Sequence, residues 1–257
     1  MKGIFFQKPL EFSLEVEGEE FLQGETLKGN LNITNHGKNE ASIENVFIDL
    51  KFTENKKFKA KDPTGFSLIN SITSLQNQTI KSGEIISTSF EVELNHLTKV
   101  TEKSASPYIT LNLTENNKDW PLGSLQLLIK PHVCLQKTIE IIERFHRFTE
   151  KGVKNKKKGV SFKLVPPNAK DMGHLVQLDL EGVIQENDDL ELTFNFKTNK
   201  VNMDASTLAF KKEKSKTKLN LKYDDYLYGK NQVNQSALLK KVNEVFTSLK
   251  QDNGLFK

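Results

Sequence analysis

The sequence predicts a mostly β protein made of two antiparallel β-sandwich halves, with one helix near their junction and a second helix at the C-terminus. Two observations predict this class. Apolar and polar residues alternate along short segments bounded by turns, and at two places the apolar period lengthens to three or four residues. We place the division near Pro131, so that residues 1–130 form an N-terminal sandwich and residues 131–257 form a C-terminal sandwich that carries both helices.

Strand patterns dominate the N-terminal half. Phe12, Leu14 and Val16 alternate with polar residues, which is typical of a strand with one buried face. The same alternation recurs at 27–33, 46–52, 86–94 and 109–113. Short alternating strands at turn-punctuated intervals are typical of an antiparallel sandwich. Between them, Asn35-His36-Gly37-Lys38 predicts a hairpin turn, and residues 55–65 predict an exposed loop.

The C-terminal half mixes both periods. Leu135, Ile139, Ile142 and His146 fall at helical steps, which predicts an amphipathic helix at about 132–150 that is entered through Pro131. Strand patterns then follow at 160–165, 175–184, 190–196, 207–210 and 219–223. A second apolar stripe predicts the last helix at about 234–250.

Composition indicates where such a chain resides. No apolar run approaches the roughly 20 residues that cross a bilayer, and the apolar run at residues 4–6 is far shorter than a secretory signal. Cys134 is the single cysteine, which cannot form an internal disulfide and suits a reducing compartment. We therefore expect a cytoplasmic protein, with peripheral association at a membrane as an alternative.

The sequence lacks the motifs of known catalytic sites. It has no serine elbow, no phosphate-binding P-loop and no glycine-rich dinucleotide motif, and the five histidines lack the spacing of metal ligands. We expect no enzymatic activity, no catalytic residue, no bound metal and no cofactor. Cys134 sits in the first turn of the predicted helix, where the helix dipole favours the thiolate, so a reactive thiol and a buried inert one both remain open.

Three further features have structural explanations beside functional ones. His132, two residues before Cys134, is expected to pack or to cap the helix rather than to bind metal. The acidic pairs at 188–189 and 224–225 are expected in turns. Trp120 either packs over the seam between the halves or anchors an interface. With the tyrosines at 223–228 it also motivates a third, sugar-binding alternative.

Positive charge is concentrated in the C-terminal half. The whole chain carries +4, from 37 basic and 33 acidic residues; residues 1–130 carry 14 and 17 of these, and residues 131–257 carry 23 and 16. The stretches 144–163 and 211–222 concentrate this positive charge, with eight basic residues against one acid and six against one. These basic residues form a candidate surface for an anionic partner: Arg144, Arg147, Lys154, Lys156, Lys157, Lys158, Lys211, Lys212, Lys214, Lys216 and Lys218. Arg144 and Arg147 are the only arginines, which disfavours nucleic acid as that partner.

Two stretches of letters resemble one protein family. The segment Phe21-Leu22-Gln23-Gly24-Glu25-Thr26-Leu27-Lys28-Gly29-Asn30-Leu31 is similar to the "PGE-x-V-x-G-x-V" opening of arrestin-fold proteins, with Gln23 in place of the usual proline and leucines in place of the valines. Residues 127–132, Leu-Leu-Ile-Lys-Pro-His, lead straight into the first helix. That order resembles the bacterial sporulation-control branch of the arrestin-like proteins.

The resemblance implies two β-sandwiches and no chemistry. Arrestin-like proteins are adaptors that bind partners on sandwich faces and loops, and the bacterial branch is associated with the control of sporulation and of cell-cycle or cytoskeletal events. We therefore expect a non-enzymatic regulatory scaffold that binds protein partners, by a route such as strand addition to an exposed sheet edge. The alternative is a peripheral binder of an anionic membrane surface or another acidic ligand through the lysine-rich stretches. No residue that senses phosphate in the animal arrestins can be aligned here, so the resemblance assigns no functional residue.

Overall fold

The computed structural model describes residues 1–113, 119–169, 172, 174–204, 207–229 and 232–252, except for the side chains of 73–74, 200–211 and 250–252. The chain divides into two compact units, Met1–Lys130 and Pro131–Lys257. Both are built mainly from strands, as the alternation of apolar and polar residues predicts.

Unit 1 is a sandwich of two four-stranded sheets. The first sheet has the order β1-β2-β4-β7 and the second β6-β5-β8-β9, and all the strand pairs inside them are antiparallel. A short parallel pair, β3 with β10, brings together the beginning and the end of the unit. The strands are β1 Lys2–Gln7, β2 Leu10–Val16, β3 Glu20–Leu22, β4 Thr26–Asn35, β5 Ala41–Glu54, β6 Ser67–Ile80, β7 Ile85–Glu93, β8 Ala105–Asn112, β9 Gly123–Gln126 and β10 Leu128–Lys130.

The core of unit 1 lies between these sheets. Alternate residues of β2 and β4 meet those of β5 and β8, and burial of their aliphatic and aromatic side chains supplies the main driving force for folding. Fully buried positions include Phe12, Leu14, Leu31, Ile33, Ile48, Leu50, Ile109 and Leu111.

Two local predictions for unit 1 are wrong. Residues 35–38 do not close a hairpin, because β4 and β5 belong to different sheets and the turn carries the chain from one sheet to the other. Residues 55–65 are not a plain loop, because they contain the short helix α1 Asn55–Lys59 and one 3-10 turn, Pro63–Gly65. The ring of Phe58 in α1 stacks on that of Tyr108 in β8, with the ring centroids 4.5 Å apart. This aromatic contact holds the segment against the second sheet.

Unit 2 is built on one five-stranded antiparallel sheet with the order β11-β12-β13-β14-β15. A two-stranded pair, β16 with β17, completes the strands. The helices are α2 Val133–His146, α3 Tyr223–Tyr226 and α4 Gln235–Asp252, so both long helices occur close to their predicted positions. The strands are β11 Thr149–Asn155, β12 Val160–Val165, β13 Leu175–Ile184, β14 Leu190–Asp204, β15 Thr207–Leu221, β16 Leu227–Gly229 and β17 Gln232–Val233. The separate strand patterns at 207–210 and 219–223 are thus the two ends of one long strand.

The two long helices lie on one face of this sheet. A Cβ atom placed on Gly182 of β13 would meet the Leu135 side chain of α2 at 2.2 Å. From α4, the Phe246 ring contacts Phe194 and Phe196 of β14, with ring centroids 6.2 and 5.9 Å away. The core of unit 2 therefore lies between the helices and this apolar face, which leaves the opposite face of the sheet polar.

Candidate anionic-partner surface

The polar face of the sheet in unit 2 follows from the period of its strands. Residues directly opposite one another in an antiparallel pair project on the same side. One such row runs Lys154, Ser161, Glu181, Thr193, Lys218 across all five strands. The next row runs Lys163, Asp179, Asn195, Lys216 across the last four. Every member of these rows is a polar or charged residue, whereas the row between them, which faces the other side of the sheet, contains the buried residues Phe162, Leu180 and Phe194.

Four lysines of the candidate set lie together on this face. Lys212, Lys214, Lys216 and Lys218 are alternate residues of β15, and all four are exposed. Their Cα atoms are separated by about 7 Å from one to the next, because a strand rises about 3.4 Å per residue. We call these four residues the β15 lysine row.

The acids of the same face pair with lysines, of which Lys218 belongs to the β15 lysine row. Asp179 accepts from Lys197 at 2.6 Å, and Glu181 lies 3.5 Å from the ammonium of Lys156. The carboxylate of Glu191 is 3.4 Å from the Lys218 ammonium, an exposed pair of modest strength. The acids therefore occupy the middle of the face and screen only one end of the β15 lysine row.

No acid faces the other three lysines of the row across the β14–β15 pair. The residues opposite Lys212, Lys214 and Lys216 are Asn199, Lys197 and Asn195. Lys197 and Lys214 carry like charges in directly opposed positions, an arrangement that destabilises a sheet unless other charges compensate. The outer strand thus presents a strip of positive charge that its neighbour does not neutralise.

The remaining candidate residues lie elsewhere in unit 2. Arg144 is on α2, on the other side of the sheet, where its guanidinium pairs with Glu140 at 2.9 Å. Arg147 directly follows that helix, in a left-handed conformation with φ of 58°. Lys154 shares the polar face but lies on β11, about 19 Å across the sheet from β15 if neighbouring strands are about 4.8 Å apart. Lys156, Lys157 and Lys158 form the exposed β11–β12 turn, and the side chain of Lys211 lies outside the described part of the chain.

The two basic stretches therefore do not form one continuous patch. The structure also adds two lysines that are absent from the candidate set, Lys163 on β12 and Lys197 on β14, because both share the polar face. Their signal in the sequence is the phase of alternation, since each lies between buried residues of its strand.

The thiol alternative for Cys134 is resolved in favour of an inert residue. The side chain is fully buried, and this burial raises the pKa of the Cys134 thiol from 9.0 to about 11. The expected lowering by the helix dipole is outweighed because burial disfavours the charged thiolate. The His132 ring caps the same helix, its Nδ1 accepting from the Cys134 N–H at 3.3 Å, as predicted for a capping residue.

The acidic pairs have structural partners. Asp189 accepts a hydrogen bond from the Tyr223 N–H at 3.0 Å, and Asp225 accepts one from the Lys222 N–H at 3.0 Å. Asp188 and Asp189 lie in the connection between β13 and β14, as predicted for turn residues. The prediction is wrong for Asp224 and Asp225, which lie inside the one-turn helix α3. Within the described ranges, no group of three or more His, Cys, Asp or Glu side chains is arranged to hold a metal ion.

Trp120 packs inside unit 1. Its ring lies 5.3 Å from that of Phe58 and 5.2 Å from that of Phe66, in the aromatic cluster that also contains Tyr108. Tyr226 is fully buried and its hydroxyl donates to the Asp188 carbonyl, so it offers no stacking platform to a sugar. The structure thus gives both residues a packing role.

The glycines of the arrestin-like motif have clear local reasons. Gly24 has φ of +93°, a conformation that favours glycine. At Gly29 a Cβ atom would come within 2.3 Å of the Phe90 ring and 2.5 Å of the Glu15 carbonyl oxygen. Gln23, where the motif has proline, is buried and donates from Nε2 to the Thr98 carbonyl at 2.6 Å. The motif therefore marks a turn at Gly24 and, at Gly29, a close approach of β4 to its neighbouring strands β2 and β7.

The chain is mostly β, and its sheets and helices form an arrestin-like fold, which confirms the predicted class. Unit 2 differs from the prediction in one respect: it has a single five-stranded sheet with helices on one face, where the sequence predicts a second sandwich. A solved structure of similar fold is that of Spo0M, a sporulation control protein from Bacillus subtilis, with a TM-score of 0.59 and 15% identity over 96% of this chain and 99% of that one. At this identity the likeness shows the fold alone.

Two further solved structures match only part of the chain. The DNA glycosylase AlkC from Pseudomonas fluorescens matches 48% of this chain and 30% of its own, at 13% identity and a TM-score of 0.32. A β-glucosidase from Listeria innocua matches 48% and 16%, at 17% identity and a TM-score of 0.29. Neither carries a functional argument. No protein-family model and no curated protein matches the sequence, and none of the helices in the described ranges has the length and apolar character needed to span a bilayer.

Proposed function

We propose that this protein is a non-enzymatic regulatory adaptor of the sporulation-control branch of arrestin-like proteins, and that it binds a protein partner at the polar face of unit 2. The observation that carries the proposal is the β15 lysine row, an exposed strip of positive charge on the edge strand of the unit 2 sheet. Exposed charge of one sign steers a partner of the opposite sign and fixes its orientation. The likeness in fold to a sporulation control protein supports the regulatory part of the proposal.

The experiment is capture of partners from cell lysate with the intact chain, with the bound proteins identified by mass spectrometry. The test variant replaces Lys212, Lys214, Lys216 and Lys218 by Gln. The matched control replaces Lys151, Lys154, Lys157 and Lys158 by Gln, which removes the same charge from the other edge of the same sheet. We expect a defined partner that the test variant loses and the control keeps.

Salt separates the contributions to that interface. Screening at 1 M salt reduces the Debye length to about 3 Å, so a contact made only by exposed charges dissociates. A partner that survives high salt has an apolar contact in addition to the lysines. Equal capture by the wild type and the test variant would contradict a docking role for β15, and turnover of a substrate traceable to named residues would contradict the non-enzymatic assignment.

The second candidate function is that of a cytoplasmic protein that binds peripherally to an anionic membrane surface. The observation that favours it is the same row of four lysines, since each cation near an anionic surface contributes about 1 kcal/mol. The geometry of the face argues for the protein partner instead. A flat bilayer laid on this face would also meet Asp179, Glu181 and Glu191, whereas a segment that follows β15 meets chiefly the lysines. Flotation with vesicles containing phosphatidylserine tests this alternative, and binding lost in the test variant would support it.

A further inference from the structure

β15 is an edge strand with a large unpaired border. Within the residues the structure describes, it pairs with β14 alone, over the whole length from Thr207–Asp204 to Leu221–Leu190. Half of the backbone N–H and C=O groups of such a strand point away from the sheet and are available to another chain. The last pair between β13 and β14 is Leu175 with Thr198, whereas β14 and β15 stay paired as far as Asp204 and Thr207. This end of the β14–β15 hairpin therefore extends beyond β13.

The side chains of this border select among possible added strands. On the polar face the border presents Lys212, Lys214, Lys216 and Lys218, and residues of an added strand would stand directly opposite them, about 5 Å away. A second copy of β15 would place lysines near lysines, which is unfavourable, and this is how lysine protects natural edge strands from self-pairing. An added strand with Asp or Glu at alternate positions would face each lysine with an opposite charge.

We propose that β15 accepts an extended acidic segment of a partner protein as a sixth strand of this sheet, with carboxylates at alternate residues paired to the β15 lysine row. The inference rests on the proposed adaptor function and names the chemistry of its partner. Backbone hydrogen bonds supply the strand pairing, and the lysine spacing supplies the preference for acids at every second residue. On the opposite side of the added strand, small polar or β-branched residues would lie beside Ser215, Thr217 and Leu219.

The test uses the intact chain and three labelled eight-residue peptides, capped at both ends. The first alternates Thr and Glu, the second has the same composition in two blocks of four, and the third is the alternating peptide with alternate backbone amides methylated. Fluorescence anisotropy at low salt measures the dissociation constants. We expect the alternating peptide to bind several-fold more tightly than the block peptide, because the block peptide can place only two of its four glutamates on the face of the β15 lysine row. The methylated peptide should lose binding, because it cannot complete the strand hydrogen bonds.

Variants locate the site. The Lys→Gln variant of the β15 lysine row should weaken binding of the alternating peptide about tenfold or more, and the Lys→Arg variant of the same residues should keep it. The Lys→Gln control on Lys151, Lys154, Lys157 and Lys158 should bind like the wild type. If removal of the charges makes the Lys→Gln chain self-associate, the Lys→Arg chain and the peptide comparisons still decide the outcome.

The contrary results are distinct. Equal binding of all three peptides, or equal loss in both Lys→Gln variants, would mean general charge attraction and would overturn strand addition. Binding to phosphatidylserine vesicles without discrimination among the peptides would overturn it in favour of the membrane. A lysate partner that neither the alternating peptide nor the β15 variant displaces would contradict this inference and leave the adaptor function standing. Tight peptide binding without any specific lysate partner would contradict the adaptor function instead.

Discussion

The ammonium of Lys197 lies 2.6 Å from a carboxylate oxygen of Asp179, on the neighbouring strand of the unit 2 sheet. This pair explains why Lys197 can stand directly opposite Lys214, another lysine, on β15. The charge of Lys197 is directed toward β13, and Lys214 remains exposed on the far side. Asp179 therefore lowers the positive potential near the β15 lysine row through its ion pair with Lys197.

The first prediction follows from that arrangement. Replacing Asp179 by Asn removes one negative charge from the polar face, so the affinity for the alternating acidic peptide should rise, by about twofold to fivefold at low salt. The pair is partly exposed, so stability should change by less than about 1 kcal/mol. Glu15→Asn in unit 1 makes the same charge change and serves as the control. An affinity that falls in Asp179→Asn, or rises equally in the control, would contradict the assignment.

The sequence predicts much of this fold and less of the surface. Alternation locates β2, β4, β7, β12 and β13 to within a few residues, because a strand with one buried face repeats every second residue. Alternation does not reveal which strands become neighbours, so the prediction of a hairpin at 35–38 is wrong. Strand pairing depends on contacts between residues distant in sequence, which local periods do not encode.

The candidate surface is likewise predicted only where its residues are close together in the sequence. The charge count finds the β15 lysine row because basic residues are dense in the stretch 211–222. It does not predict that the four lysines share one strand, since the strand patterns stop at 210 and resume at 219. It also grouped Arg144 with them, although a helix on the other side of the sheet carries that residue. Nothing local indicates that Asp179 lies beside Lys197, since the two are 18 residues apart and meet only when β13 pairs with β14.

The second prediction concerns Gly29 in the arrestin-like motif. Gly29→Ala forces a methyl group against the Phe90 ring and the backbone carbonyl of Glu15, and the backbone cannot move aside as a flexible side chain would. We expect a loss of at least about 1–3 kcal/mol in the free energy of unfolding, measured by urea denaturation. Asn30→Ala, at the exposed neighbouring position on β4, is the control and should change stability by less than about 0.5 kcal/mol. Equal stability of the two variants would contradict the close contact of Gly29 with Phe90 and Glu15.

The third prediction concerns the cap of helix α2. His132→Ala removes the ring nitrogen that accepts from the Cys134 N–H, and should cost about 1 kcal/mol in the free energy of unfolding. His132→Asn offers a side-chain oxygen that can accept the same bond, so it should recover most of the loss. If Asn and Ala are equally destabilising, the contribution of His132 comes from packing of its ring and not from the cap.

The fourth prediction tests a buried ion pair in unit 1. Lys51 is 2% exposed and its ammonium lies 3.2 Å from Asp49, which also accepts from Ser71 and Asn112. Burial lowers the pKa of Lys51 more than the charge of Asp49 raises it, so the pair is held at a desolvation cost. Either Lys51→Met or Asp49→Asn alone leaves one buried charge without its partner and should cost about 3–5 kcal/mol.

The double variant separates pairing from simple destabilisation. With both charges removed, the loss should be smaller than the sum of the single losses and close to that of the milder one, as urea denaturation of all four chains would measure. Losses that add would mean that Asp49 and Lys51 act independently. In that case the hydrogen bonds from Ser71 and Asn112, rather than the ion pair, would account for the role of Asp49.

The last prediction is a pH dependence set by Cys134. Because burial raises the pKa of this thiol from 9.0 to about 11, the folded chain binds its proton more tightly than the unfolded chain does. The sign follows directly. The stabilising contribution is fully present below pH 9, and it is lost as the pH rises toward 11, because the unfolded thiol ionises first.

Urea denaturation of the wild type and of Cys134→Ala at pH 8 and pH 10 measures this contribution. The wild type should lose about 1 kcal/mol relative to the variant over that interval, since each unit of pKa shift corresponds to about 1.4 kcal/mol. Alkylation by iodoacetamide gives an independent check, because a buried, protonated thiol should react far more slowly in the folded chain than in urea. The contrary result would be a wild type that gains stability relative to Cys134→Ala between pH 8 and pH 10, together with rapid alkylation of the folded chain. It would mean that the helix dipole outweighs burial and that Cys134 is a reactive thiol.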